Sequence, residues 1–195
     1  MKNLILTFSL ICFITLANVV NSNLFGQELP LRIGIKVGYP QVAGLNLEYV
    51  TPLLNKRLAA DLDLSYIPLS RNTTTVTYTN FALFANYYFS HEGRGLYGGL
   101  GFSRMGFNVT KDVTFSDGTT QKGKANLGIN SLNLKIGGKH GKSFYFRWEL
   151  GWSLGLSSPA FEVVATKNGV TKIESFTSPI KGSGPIADIG FGFSF

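Results

Sequence analysis

Charged side chains recur at every second position of several apolar segments, and their spacing is the first hint of chemistry in this chain. In residues 31–39, for example, Arg32 and Lys36 share one face, while leucine, isoleucine, valine and tyrosine occupy the other. This assignment follows because alternate side chains of an extended strand point to opposite faces. Four of the charges are basic and five are acidic, a balance that favours mutual ion pairing. The set comprises Arg32, Lys36, Glu48, Asp61, Asp63, Lys135, Arg147, Glu149 and Asp188.

The residue types and their spacing support catalytic chemistry much less than they support ion pairing. Acyl transfer or hydrolysis needs a serine nucleophile and a histidine base that an acidic side chain orients. The two histidines, His91 and His140, both fall in predicted short turns, where solvated side chains are expected. Asp112 and Asp117 are too few for a calcium loop, and there is no phosphate-binding or dinucleotide-binding motif. We therefore predict no enzyme activity, no catalytic residue, no cofactor and no metal site.

The elements that must position the nine charges are predicted to be strands. Large apolar residues alternate with small or polar ones in eight segments, which are separated by clusters of turn-forming residues. The chain thus predicts an all-β fold with eight antiparallel strands. Their expected bounds are 31–39, 45–50, 58–68, 76–89, 96–109, 127–136, 144–154 and 185–195.

Two of these segments change phase, and two dipeptides signal hairpins. The large apolar residues move to the other face near Ser103–Arg104 and again near Asn130–Ser131. A β-bulge shared by two paired strands would explain both changes. Asp117–Gly118 and Asn168–Gly169 each lie between β-prone arms, so each predicts a two-residue hairpin turn. These are the turns that we expect to protrude from the molecule.

The N-terminus has the features of an export signal. Lys2 precedes an apolar run over residues 4–20, which predicts a signal peptide of residues 1–22 cut after Ser22, with Gly26 as the alternative. A membrane anchor is the competing interpretation, since the run approaches the ~17-residue minimum for a span, but no basic cluster follows it. Residues 23–30 then form a short periplasmic segment, and residues 31–195 form the barrel domain. The only cysteine, Cys12, lies in the leader, so the mature chain has no cysteine chemistry.

The distribution of charge between the two strand faces predicts a membrane environment. The nine charges share one face, while the opposite face is almost free of charge, with Arg104 as the exception. A water-soluble barrel would have the reverse arrangement. Eight strands leave an interior that side chains just fill, so opposite charges there must pair and plug the lumen. We expect about a third of the charges to lie instead at strand ends in water.

Connection lengths and aromatic residues predict which end of the barrel faces the periplasm and which end faces the outside of the cell. Short turns alternate with longer loops, as in bacterial outer-membrane barrels, whose periplasmic turns are short. The first outer connection, residues 40–44, is an exception because it is short. An aromatic girdle is expected at the inner rim. It consists of Tyr87, Phe89, Phe144, Phe146, Phe193 and Phe195.

The C-terminal segment carries a resemblance to a known family. Ile189, Phe191, Phe193 and Phe195 share one face of the last strand, and Phe195 ends the chain. With the leader and the eight alternating segments, this terminus resembles the small bacterial outer-membrane β-barrel family, OmpA/OmpX-like and eight-stranded. The resemblance implies an up-and-down transmembrane β-barrel in the outer membrane, and a terminal strand that acts as the assembly signal. It also implies contact with outer-membrane lipid, lipopolysaccharide and the barrel assembly machinery.

Three functions remain open from the sequence. A barrel for envelope structure, surface interaction or adhesion fits a plugged lumen with protruding hairpins, whose strand edges could bind an extracellular protein partner. A narrow channel for small solutes or ions would require the lumen to open, which its balanced charge disfavours. A lipid A-modifying enzyme is the least favoured, since both histidines fall at the inner end. The net charge of +7 is scattered along the chain, which argues against nucleic-acid binding.

Overall fold

The structure, a computed structural model, describes residues 29–71, 74–90, 93–114, 118–156, 160–167, 170–177 and 182–195. The predicted leader and most of the segment after it lie outside these residues, as do Asp117, Asn168 and Gly169. The described part of the chain folds entirely into strands and their connections. The strands are β1 (Leu31–Tyr39), β2 (Val42–Val50), β3 (Leu58–Arg71), β4 (Thr74–Tyr88), β5 (Gly95–Thr114), β6 (Thr120–Gly141), β7 (Phe144–Gly155), β8 (Ala160–Lys167), β9 (Val170–Thr177) and β10 (Gly184–Ser194).

Eight of the strands close into an antiparallel barrel. Strands β1 to β7 pair in sequence order, β10 pairs with both β7 and β1, and the β5–β6 pairing completes the ring. The predicted all-β, eight-stranded antiparallel fold is therefore confirmed. Strands β8 and β9 form a hairpin outside the ring, which pairs with the barrel through Lys124 of β6 and Val164 of β8. Among the described residues, no helix is both long and apolar enough for a membrane span.

The connections give the barrel two different ends. At one end, which we call the turn end, lie the connections 51–57, 89–94 and 142–143, together with both termini of the barrel. Leu31 and Phe195 exchange backbone hydrogen bonds there, with N···O distances of 3.2 and 2.7 Å. At the opposite end, the loop end, β1, β3, β5 and β7 end and β2, β4, β6 and β10 begin, and the hairpin of β8 and β9 follows β7 there.

Two predicted turns are shorter in the structure than the sequence suggested. Strand β2 begins at Val42, so the first connection is Pro40 and Gln41 rather than residues 40–44. Strand β6 continues to Gly141, so the connection predicted between strands 127–136 and 144–154 is confined to Lys142 and Ser143. Lys139 and His140 are therefore strand residues, because three glycines in this stretch did not interrupt the pairing with β7.

The hairpin between β5 and β6 does not have the register of a two-residue turn. Thr114 pairs with Thr120, which centres the connection on residue 117 and leaves an odd number of residues between the strands. Gly118 adopts a positive φ of 78°, a conformation that glycine enters without strain. In the other hairpin, Lys167 pairs with Val170, which leaves residues 168 and 169 between β8 and β9 and matches the predicted turn length.

The predicted bulge near Ser103 and Asn130 is wrong. The β5–β6 ladder runs without a slip through this region, with Phe102 opposite Leu132, Arg104 opposite Asn130 and Met105 opposite Ile129. The apolar side chains therefore change face along a regular strand, without an inserted residue. Outward positions are apolar up to Phe102, and from Arg104 onward the inward positions are the apolar ones.

We call the level between Phe102 and Arg104, where the apolar side chains change from the outer to the inner face, the polarity switch. The same change occurs on the neighbouring strands. On β4 the outward residues change from Phe81 to Thr79, while Tyr78 faces inward and is buried. Beyond the switch, a small apolar core lies in the interior towards the loop end. It consists of Tyr78, Met105, Leu127 and Ile129, with Ile67 and Phe107 packed against it. Its outer surface on β5 and β6 is polar and exposed, with Arg104, Asn108, Lys122, Lys124 and Asn126.

Between the switch and the turn end, inward glycines make room for long side chains. A Cβ atom on Gly137 would lie 2.5 Å from Cζ of Tyr97, and one on Gly190 would lie 2.8 Å from Cγ of Lys36. Both distances are far below van der Waals contact. The pairing of small with large residues across the lumen lets a narrow barrel hold several long charged side chains.

Candidate functional site

All nine of the charged residues that the sequence singled out face the interior of the barrel. Each is at most 7% exposed to solvent. The expectation that about a third of them would lie in water at strand ends is wrong, because the plug extends almost to the turn end. There Val50, Ala59, Tyr88 and Tyr97 form a buried apolar layer beneath the charges.

Asp61 of β3 is the most connected member of the group. Its Oδ2 atom accepts hydrogen bonds from Lys135 Nζ at 2.9 Å and from Asn86 Nδ2 at 3.0 Å. Its Oδ1 atom accepts one from Arg147 Nη1 at 3.2 Å and another from Asn46. The donors come from β2, β4, β6 and β7, so a single carboxylate joins five of the eight barrel strands.

Glu48 of β2 forms a second junction nearer the turn end. Its carboxylate pairs with Arg32 of β1 and with Arg147 of β7. Lys139 Nζ lies 3.3 Å from Oε1 of Glu48, and the Tyr88 hydroxyl donates to the same atom at 2.8 Å. Four donors again converge on one acid, which compensates for removing its charge from water.

Glu149 and Asp63 complete the network around Lys36. The Lys36 ammonium lies 2.6 Å from Asp63 Oδ2 and 2.7 Å from Glu149 Oε2. Glu149 also pairs with Lys135 at 3.0 Å, and it accepts a hydrogen bond from the Tyr97 hydroxyl. The network thereby reaches seven of the eight barrel strands. Asp188 of β10 is also buried nearby, but its Oδ1 atom has no hydrogen-bond partner in the structure.

Sequence reasoning missed four important members of this site. Lys139 lies outside the predicted strand 127–136, although its spacing of four residues from Lys135 places it on the same face of an extended strand. Asn46, Asn86 and Tyr97 carry no charge, and nothing in the sequence marks them as partners of buried acids. With Lys139, the described residues place five basic and five acidic side chains in the interior. We call these ten residues the ion cluster: Arg32, Lys36, Glu48, Asp61, Asp63, Lys135, Lys139, Arg147, Glu149 and Asp188.

Aromatic rings fill the remaining space around the ion cluster. Lys135 Nζ lies 3.6 Å from the centroid of the Phe84 ring, a cation–π contact in a buried setting. Tyr145 is also buried, with the Lys139 ammonium 5.1 Å from its ring centroid. The interior is thus occupied at this level by paired ions and aromatic rings. Such an interior can hold the eight strands in register and can block passage through the barrel.

The geometry of the acids and histidines offers little for other chemistry. In the part of the chain that the structure describes, no three acidic, histidine or cysteine side chains are arranged to hold a metal ion. His140 is exposed at the turn end, and His91 lies outside the described residues. The carboxylates of Asp61, Glu48 and Glu149 are already occupied by cationic or amide donors.

The residues predicted to form the assembly signal lie together on the outer surface of β10. Ile189, Phe191 and Phe193 pair with Val37, Ile35 and Ile33 of β1, and all of these side chains face outward. Phe193 also contacts Phe144 of β7, with ring centroids 5.4 Å apart. The last strand therefore closes the barrel and presents a continuous apolar surface. Of the predicted hairpin-turn residues, Gly118 is exposed at the loop end, and Asp117, Asn168 and Gly169 lie outside the described residues.

The chain matches no protein-family model, and a search of the curated proteins found no match. The resemblance to small outer-membrane barrels therefore rests on the residues quoted above.

Tyr97 provides a test of how much the hydroxyl partners of the ion cluster contribute. We expect Tyr97→Phe to lower the free energy of unfolding by about 1.5–3 kcal/mol, because Glu149 loses a hydrogen bond in a buried site. Tyr87→Phe is the matched control, since the Tyr87 hydroxyl is exposed and accepts only a long hydrogen bond of 3.5 Å from Arg57. Urea unfolding of both variants checks this expectation, and equal effects of the two substitutions would contradict it.

Proposed function

We propose that this protein is an integral β-barrel of the bacterial outer membrane, whose plugged lumen serves structure and surface presentation rather than transport. The observation that carries the proposal is the polarity switch. Between the switch and the turn end, the outward side chains are apolar and the interior is ionic, an arrangement that suits a hydrocarbon surrounding. Between the switch and the loop end, the arrangement reverses to that of a water-soluble sheet. A change of solvent along regular strands accounts for both halves.

The size of the apolar surface supports a transmembrane position. Strand β7 has 12 residues. At ~3.3 Å per residue and a tilt of ~40°, a strand of that length rises about 30 Å, which matches the thickness of a bilayer core. The exposed large apolar residues form a continuous belt around the barrel, including Ile35, Leu45, Leu83, Leu100, Leu134, Leu150 and Ile189.

Aromatic side chains at the turn end support the orientation. Tyr87, Phe89, Phe144 and Phe193 are all exposed there, in two contacting pairs. Aromatic rings at this level suit the membrane interface, and short turns suit the periplasmic side. The predicted signal peptide, residues 1–22, and the C-terminal aromatic strand supply the export and assembly signals that such a location requires.

Two measurements on refolded protein test the membrane proposal and the plugged lumen. We expect unboiled protein to migrate differently from boiled protein on a detergent gel, because a folded barrel resists the detergent. In planar bilayers the same preparation should give no sustained conductance, since paired ions and rings occupy the lumen. A steady conductance that changes with Glu149→Gln would instead favour a narrow channel, and the absence of any heat-dependent shift would contradict the barrel in detergent.

The hairpin of β8 and β9 is the best candidate for surface interaction. It follows β7 at the loop end and extends the sheet beyond the barrel, with β9 as the last strand in the sheet order. Strand β8 pairs with β6 through Val164 and Lys124, so the long β5–β6 hairpin holds the β8 side of this hairpin. The β9 side remains an edge of the sheet. An edge strand can accept an extra strand from a partner protein. We propose that the hairpin presents this edge to an extracellular protein.

Deletion of the hairpin tests this second proposal. Replacing residues 160–177 by a short glycine–serine linker should leave the heat-dependent gel shift intact, because the barrel closes without β8 and β9. Cells that display the variant should lose the adhesion to protein-coated surfaces that cells with the complete protein gain. Equal adhesion of both strains, at equal surface amounts, would show that the hairpin only covers the end of the barrel.

A further inference from the structure

Between the ion cluster and the loop end, the interior of the barrel contains a cavity to which the proposed function assigns no role. Its volume is about 250 Å³, and its walls are mostly apolar, with five side chains contributed by β3, β4 and β5. Leu69, Val76, Met105 and Phe107 contribute to these walls. A dry apolar cavity of ~150 Å³ is already large enough to bind a small hydrocarbon molecule. This cavity is larger, so it offers room for an apolar ligand.

Two of the polar groups at the cavity, the hydroxyls of Tyr78 and Ser153, already have hydrogen-bond partners. The Tyr78 hydroxyl donates to the carbonyl oxygen of Pro40 at 2.7 Å. At the floor, the Ser153 hydroxyl donates to the Gly182 carbonyl oxygen at 3.3 Å, and the Ser131 hydroxyl donates to the same oxygen at 3.0 Å. A ligand would therefore gain little from polar groups of its own inside the cavity. The walls and floor together favour a plain hydrocarbon chain.

The barrel wall beside the cavity is shortest at the connection between β1 and β2. The ladder between β2 and β3 ends at the pair Leu45–Leu64, although β3 continues to Arg71. The short connection at Pro40 and Gln41 leaves a step in the wall beside the extended β3–β4 hairpin. The cavity lining beside this connection includes Tyr39, Val42 and Leu69, which are all exposed to solvent.

The step lies at the level where a lipid tail would be available. Tyr39 and Val37 end the row of outward apolar side chains on β1, so the step is continuous with the apolar belt. If the belt lies in the membrane, as proposed above, the step faces the outer leaflet just below its head groups. We propose that the cavity binds one hydrocarbon chain, which enters sideways through the step between the β1–β2 connection and β3. This inference depends on the proposed membrane position.

Photo-crosslinking in vesicles can test the cavity and the membrane position separately. The protein is reconstituted into phosphatidylcholine vesicles in two arms. In the first arm the phospholipid carries a diazirine at the end of an acyl chain, and in the second only added lauric acid carries it. Adducts are mapped by mass spectrometry on cavity residues, such as Val76 and Phe107, and on belt residues, such as Leu100 and Phe102.

Adducts on Val76 or Phe107 are expected in at least one arm. Cavity adducts in the first arm identify a membrane lipid tail as the source, and cavity adducts in the second arm alone identify a free fatty acid. Belt adducts without cavity adducts would overturn the cavity inference while leaving the membrane position intact. An absence of both kinds of adduct would contradict the membrane position and with it this inference.

A filled cavity provides the matched control. Met105→Trp places a larger side chain into the cavity, and Asn108→Trp places the same ring on the exposed face of the same strand. Each buried methylene is worth about a fourfold change in affinity, so loss of a few should lower cavity adducts at least about tenfold in Met105→Trp. Belt adducts should not change in either variant. If Met105→Trp shows no heat-dependent gel shift, Val76→Phe replaces it, and unchanged cavity adducts in a folded filled variant would overturn the inference.

Discussion

Asp61→Asn is expected to lower the free energy of unfolding by about 3–5 kcal/mol, because removing one member of a buried ion network leaves its partners uncompensated. Lys135 and Arg147 both donate to the Asp61 carboxylate, and Asn46 and Asn86 do so as well. The substitution keeps the shape of the side chain but presents an amide that cannot accept all four donors. Urea unfolding in lipid vesicles, followed by tryptophan fluorescence, measures the change.

A matched substitution outside the lumen shows whether the effect is specific. Asp112→Asn makes the same chemical change near the loop end, where Asp112 pairs across the ladder with Lys122 on the outer face. Surface ion pairs contribute at most about 1 kcal/mol, so this variant should unfold close to the wild type. Equal stabilities of the two variants would mean that the ion cluster does not hold the strands together.

Leu100→Arg is expected to have the second largest effect. Leu100 points outward in the middle of the apolar belt and is 52% exposed in the isolated barrel. If lipid surrounds it, an arginine there costs about 2–4 kcal/mol, as charged residues do near the middle of a membrane barrel. Asn108→Arg on the same face of β5, beyond the polarity switch, should change stability by less than about 0.5 kcal/mol.

The comparison requires a lipid surrounding, so both variants are unfolded in urea from vesicles of the same composition. The difference in unfolding free energy between Leu100→Arg and Asn108→Arg is the quantity of interest. A difference near zero would show that both positions face the same solvent, which the proposed membrane boundary does not allow.

Much of the barrel could be predicted because strand alternation is a strong local signal. Ile33, Ile35 and Val37 are separated by single residues, so a strand must place them on one side and Arg32 and Lys36 on the other. Eight such segments and the chemistry of their two faces were enough to predict both the closed barrel and an inward position for the nine charges. These predictions needed no knowledge of which charge contacts which.

The missing parts depend on information that local patterns do not carry. A change of surroundings along a regular strand and a β-bulge both shift large apolar residues to the other face, so the residues around Ser103 alone could not distinguish them. The ladder from Phe102 to Met105 excludes a bulge, because it contains no extra residue. Lys139 was missed for a different reason. Glycines at positions 137 and 138 suggest a turn, but in the strand they make room for Tyr97 and Trp148.

The central claim is that the polarity switch marks the boundary between lipid and water. Cysteines placed one at a time in the barrel, where the sequence has no cysteine after Cys12, can carry a fluorophore at outward positions of β5. With brominated lipid as the quencher, we predict strong quenching for Leu100→Cys and Phe102→Cys, a sharp fall at Arg104→Cys and none at Asn108→Cys. Quenching that is uniform along the strand, or stronger at Asn108→Cys than at Leu100→Cys, would contradict the claim.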